Sequence, residues 1–180
     1  RIGVLMPAGK VVEGKGVVTH TFGAPQRATE LFTNIGDCFV YDSSLRILDY
    51  AELYPIYGQS SGGLSQEQIE KINTLDYIFL RGSNYINTNG QWDEITNVLE
   101  KTKVPVMAFG IGVQVPDNSD HYVNESTKRF LQLVADRSKT IGVRGALSRK
   151  ALNSIGIKNV RIFGCPTAFR ANNPNMRIKL

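Results

Sequence analysis

Downstream of about residue 75 the chain repeats one pattern: a short apolar, β-branched run, a glycine turn, then apolar residues three and four apart. Residues 76–80 (DYIFL), 104–109 (VPVMAF), 140–143 (TIGV) and 159–163 (NVRIF) read as buried strands. Between them, 92–101 puts Trp92, Ile95, Val98 and Leu99 on one helical face, and 125–136 groups Phe130, Leu131 and Val134. The helix predicted over 146–154 buries Leu147, Ala151 and Leu152, and Gly156 offers a left-handed stop. Strands apolar on both sides, spaced by roughly 20 to 35 residues with an amphipathic helix in each interval, predict right-handed βαβ crossovers. The fold class is therefore α/β, a Rossmann-like doubly wound domain with a mostly parallel sheet.

The first half of the chain carries a weaker pattern. Residues 2–6 and 17–21 read as strands, paired as a hairpin through the polar, glycine-bearing stretch 9–16. A helix is predicted over 39–48, after the turn Asn34-Ile35-Gly36-Asp37. Ser65 with Gln68 forms a capping box that opens a helix through Ile72. Residues 54–61, with Gly62 and Gly63, read as loop.

Length and composition narrow the class. A chain of 180 residues, 42% hydrophobic and 21% charged, builds one domain with a real core and is neither disordered nor fibrous. The net charge of +5 comes from scattered Lys and Arg, which suits a small anionic ligand or a weakly anionic surface and not nucleic acid. Cys38 and Cys165 lack metal-ligand spacing and read as free thiols of a reducing, cytoplasmic compartment. His20 and His121 are too separated for a zinc site. The longest apolar stretch, 104–115, is interrupted by Pro105, so no transmembrane segment is predicted; peripheral membrane association stays open. No signal peptide pattern is visible, and Arg1 leads straight into an apolar run, as in a trimmed fragment.

In an open parallel sheet, ligands gather outside the carboxyl ends of the strands. Arg81 follows DYIFL and Arg144 follows TIGV, and two guanidinium groups on one sheet edge would make an anion site. Gly145 and the helix after it add backbone donors beside Arg144. The alternative is that Arg144 caps a neighbouring helix or pairs with a surface carboxylate. Gly110 and Gly112 allow close backbone approach, but they lack the third glycine of a dinucleotide fingerprint. Asn34 and Asp37 either cap the helix or bind substrate hydroxyls, with Asp37 a weak candidate for a catalytic base. No Gly-x-Ser-x-Gly elbow, P-loop or His-Glu-x-x-His occurs.

Several of these segments resemble the polysaccharide pyruvyl transferase family. The likeness rests on Asn34-Ile35-Gly36-Asp37, on DYIFL running into Arg81-Gly82-Ser83, and on 105–112 (PVMAFGIG). It is most specific at 141–148 (IGVRGALS), followed by 152–157 (LNSIGI) and 160–167 (VRIFGCPT). Two positions depart from the family pattern: Arg81 stands in a turn where glycines are common, and Cys165-Pro166 replaces Asp-Pro.

The resemblance implies the amino-terminal half of a two-domain enzyme of glycosyltransferase-B type, with a carboxy-terminal domain absent from this chain. It implies transfer of the enolpyruvyl group of phosphoenolpyruvate to two hydroxyls of a glycan or lipid-linked sugar, giving a pyruvate ketal. Phosphoenolpyruvate is then a co-substrate, with no further cofactor or metal. Arg144 is implied in donor binding, and the general acid, a His or Arg, lies on the other domain, so the fragment alone is expected to be inactive. Arg81 adds a positive side chain to the cleft on this reading, and Arg81→Gly is expected to leave folding intact. Rival readings are a sugar-nucleotide glycosyltransferase of the same architecture and a non-catalytic carbohydrate- or protein-binding module.

Overall fold

The computed structural model describes residues 1–6, 9–12, 16–19, 35–56, 64–115 and 122–171. In chain order its strands are β1 (Ile2–Leu5), β2 (Gly9–Val12), β3 (Gly16–Thr19), β4 (Leu53–Ile56), β5 (Tyr77–Leu80), β6 (Val106–Ile111), β7 (Ile141–Val143) and β8 (Val160–Ile162). Its helices are α1 (Ile35–Ile47), α2 (Gln66–Asn73), α3 (Asp93–Lys101), α4 (Glu125–Arg137) and α5 (Ala146–Ser154), followed by a 3₁₀ turn, Pro166–Phe169. Six strands form one sheet in the order β4-β1-β5-β6-β7-β8, and every pairing in it is parallel.

The period-2 geometry of the strands sorts their side chains onto two faces. Leu5, Ile78, Leu80, Val106, Ala108, Ile141 and Val143 face α2 to α5, where Ile72, Leu99, Phe130, Leu131 and Leu152 complete the larger core. Ile2, Val4 and Phe79 face the other way, onto Tyr41 and Leu45 of α1. The sheet is thus covered by α1 on one side and by four helices on the other, a Rossmann-like arrangement. The predicted start signals hold where they can be read. Ser65 and Gln68 form both hydrogen bonds of the capping box, and Gly156 takes φ +89° just past α5.

Two assignments for the first half need correction. Ile2–Leu5 is not a hairpin strand: it lies inside the parallel sheet, between β4 and β5, and is buried along its length. The hairpin is β2 with β3, Gly9 opposite Thr19. Residues 54–56, read as the start of a loop, belong to β4. Pro55 disguised this strand, but β4 sits at the sheet edge, where a residue without an N–H is tolerated.

Candidate functional site

The chain goes from β1 to β4 on one side and then builds β5 to β8 on the other, so the connection direction reverses between β1 and β5. Doubly wound sheets carry their ligand crevice at such a reversal, outside the carboxyl ends of the strands. Here Arg81 occupies that position. Its Nε donates to the Met6 carbonyl at 2.7 Å, tying the tip of β5 to the tip of β1, and its Nη1 donates to the Gly82 carbonyl at 3.1 Å. Met6 takes a left-handed backbone, φ 52°, rare for a residue with a side chain. The Asp37 carboxylate, in the first turn of α1, stands 3.4 Å from Arg81 Nη1 and accepts from Ser83 Oγ at 3.5 Å. Arg81 is fully buried. The expectation that it brings positive charge into an open cleft is therefore corrected: it is a staple at the reversal point, its charge opposed by Asp37.

Two strands away the arrangement differs. Arg144 leaves the end of β7 half-buried, with its backbone N–H on the Ile111 carbonyl at 3.0 Å. Its Nε donates to the Gly110 carbonyl at 2.9 Å, and its Nη1 to Asn84 Oδ1 at 3.1 Å. Both partners are neutral. Among the described residues no carboxylate comes within ion-pair distance of Arg144, whereas Arg46, Arg81, Arg129 and Arg170 each have one. Arginine carries five N–H donors, so holding two leaves a fork available. Beside it α5 begins at Gly145 with no side-chain cap, and a Cβ at Gly145 would meet nothing within 4 Å. Uncapped N–H groups and the helix dipole add positive potential to that open ground.

Glycines let the backbone close around this group. Gly110 has φ +78°, and a Cβ there would stand 2.6 Å from Pro166 Cδ. A Cβ on Gly112 would lie 2.2 Å from Asn84 Oδ1 and 3.2 Å from Arg144 Cδ. Beyond β5 the chain stays extended beside the end of β6: Gly112 N donates to Ser83 O, Ile86 N to Gly112 O, and Gln114 N to Ile86 O.

Tyr85 lies on this extension, fully buried, with its ring against Trp92 and Phe130. Its hydroxyl has no hydrogen-bond partner among the described residues. Burial pushes its ionisation up to about 12; Arg81 and Arg144 act against that shift and Asp37 with it. The unfolded phenol ionises near pH 10 while the folded one stays neutral. Stability is therefore unaffected by this ionisation below pH 10 and falls by about 2–3 kcal/mol as pH rises to about 12. Tyr85→Phe is expected to raise unfolding stability at pH 7 by about 1 kcal/mol, because it removes an unsatisfied buried hydroxyl, and to flatten the alkaline fall. Urea melts of both proteins from pH 8 to 12 check this; an identical alkaline slope would show that Tyr85 does not cause it.

Of the residues singled out from sequence, Arg144, Gly110, Gly112 and Gly145 come together, while buried Arg81 and partly buried Asp37 form the neighbouring ion pair. Asn34, His20 and His121 lie outside the described residues. Cys165 is a free thiol whose sulfur accepts from Thr167 Oγ1 at 3.1 Å. Sequence reasoning missed Tyr85, and also Asn84 and Gln114, which are adjacent to the motifs but matter only through partners 30 to 60 residues away. Among the described residues no group of His, Cys, Asp and Glu could hold a metal ion, and no helix is long and apolar enough to cross a membrane.

The family model described as polysaccharide pyruvyl transferase matches residues 28–179, which takes in Asp37, Arg81, the Gly110–Gly112 turn and the Arg144 helix start. The chain belongs to this family. No curated protein and no solved structure matches it. Membership makes the chain part of a transferase lineage of polysaccharide biosynthesis, and a glycan acceptor fits that assignment. Within this polysaccharide pyruvyl transferase chain, β1 and the β2–β3 hairpin precede the matched range, yet Met6, the residue after β1, supplies the carbonyl that fixes Arg81.

Proposed function

We propose that the cleft around Arg144 binds phosphoenolpyruvate, the donor for a pyruvyl ketal built on a sugar. The observation that carries this reading is the Arg144 guanidinium, held by two neutral oxygens, facing no carboxylate among the described residues and set beside an uncapped helix start. Phosphoenolpyruvate carries a phosphate and a carboxylate on three carbons, and a planar fork matches either group bidentately. In the proposed reaction a general acid protonates the methylene carbon, leaving an oxocarbenium-like centre at the neighbouring carbon. One sugar hydroxyl attacks there, phosphate leaves, and a second hydroxyl closes the ketal as both hydroxyls lose their protons. Positive charge near the phosphate favours its departure. The acid is assigned to a further domain, so this chain supplies donor binding and not turnover.

Thermal-shift titration separates the reading from its rivals. Phosphoenolpyruvate at a hundred times its Kd should stabilise the chain by about 2.7 kcal/mol, while UDP- and GDP-sugars leave the melting temperature unchanged. Stabilisation by a nucleotide sugar alone would favour a glycosyltransferase, and stabilisation by a glycan alone would favour a binding module.

A further inference from the structure

We propose that Asn84 is the positioning residue for the Arg144 guanidinium. The inference rests on the donor-binding reading for its ligand, but its geometry is independent of that ligand. Asn84 Oδ1 takes a hydrogen bond from Arg144 Nη1 at 3.1 Å, and its Nδ2 donates to Gln114 Oε1 at 3.4 Å. Gln114 is placed in turn by its backbone bond to Ile86. The amide is therefore orientated from both ends: Gln114 engages the nitrogen, which leaves the oxygen for Arg144. Gly112 makes the contact possible, since a Cβ there would stand 2.2 Å from that oxygen. Together with the Gly110 carbonyl on Nε, Asn84 removes the rotation about the last bonds of the side chain and fixes the plane of the fork.

Asparagine is suited to this task because its oxygen accepts without carrying charge. An aspartate at 84 would have nearly the same shape and would hold Arg144 more tightly, but it would cancel the charge that an anion needs. Positioning and simple structural support thus predict opposite orders. A structural contact would be as good or better with Asp. A neutral positioning contact requires Asn84→Asp to be the worse variant.

The test measures dissociation constants for phosphoenolpyruvate and, separately, for inorganic phosphate by calorimetry on the 180-residue chain, with melting temperatures as a control. Asn84→Ala is expected to weaken both ligands about tenfold, the loss of one ordering hydrogen bond. Asn84→Asp is expected to weaken them about a hundredfold without lowering the melting temperature. A ligand-free measurement runs beside it: the side-chain ¹⁵N resonances of Arg144 should show hindered guanidinium rotation in the parent and Asn84→Asp, and free rotation in Asn84→Ala. Unchanged rotation in Asn84→Ala, or an Asn84→Asp protein that binds anions as the parent does, overturns the proposal. If the parent binds phosphate but not phosphoenolpyruvate, the donor assignment fails while the phosphate series still decides the role of Asn84. If it binds neither, the rotation measurement decides it.

Discussion

Arg144→Ala is expected to weaken phosphoenolpyruvate binding by about 1.5–3 kcal/mol, roughly ten- to a hundredfold in Kd, with little change in melting temperature. The size follows from removing charge-assisted hydrogen bonds to a dianionic ligand, and the small effect on folding from the site. Arg144 is half-buried, and of the acceptors it leaves behind the Asn84 oxygen belongs to a half-buried side chain that water can reach, while the carbonyl of buried Gly110 sets the small loss of stability that is expected. Arg144→Lys should recover only part of the loss. Lysine restores the charge but cannot span Gly110 and Asn84 while presenting a planar fork. Calorimetry on the three proteins gives the answer, and a Kd that ignores the substitution would remove the donor from this cleft.

Arg81→Gly should behave in the opposite way, unfolding the protein before it can report on any ligand. The expected loss is about 3–5 kcal/mol, from emptying a fully buried site and from taking the counter-charge away from the partly buried Asp37 carboxylate. The substitution removes the donor on the Met6 carbonyl, withdraws the guanidinium from Asp37, and leaves a cavity where a fully buried side chain had been. The expectation from sequence, that this change restores a glycine turn at no cost to folding, is reversed by that burial. Arg81→Met with Asp37→Asn should regain part of the loss, because the carboxylate is neutralised along with its counter-charge and most of the volume is refilled. Urea unfolding measures all three; a midpoint for Arg81→Gly equal to the parent's would mean that the staple holds nothing.

Legibility in the sequence followed the physics that each feature depends on. Elements β5 to β8 and α3 to α5 were readable because burial on a sheet and on one helical face imposes periods that survive in any context. The partner of β1 was not readable. An apolar run of four serves equally well in a hairpin or in the middle of a sheet, and the choice was made by 53–56 and 77–80, far along the chain. Arg144 could be anticipated because its place, the residue between strand and helix, is a local property. The fate of Arg81 could not, because an arginine after a strand looks the same whether it faces solvent or closes over an aspartate 44 positions earlier. Asn84 was invisible for the same reason.

The shoulder-to-shoulder packing at Gly110 and Gly112 also limits how the surroundings of Arg144 can be redesigned. An engineer seeking a different anion has no freedom at either glycine, since even a methyl group would strike Pro166 or the amide beside the guanidinium. Diversity has to enter beside them, at Gly145, where a Cβ meets open space, and at Leu147, which the helical pattern placed in the core but which is exposed. Libraries confined to those two positions should leave the Arg144 guanidinium bolted to the sheet.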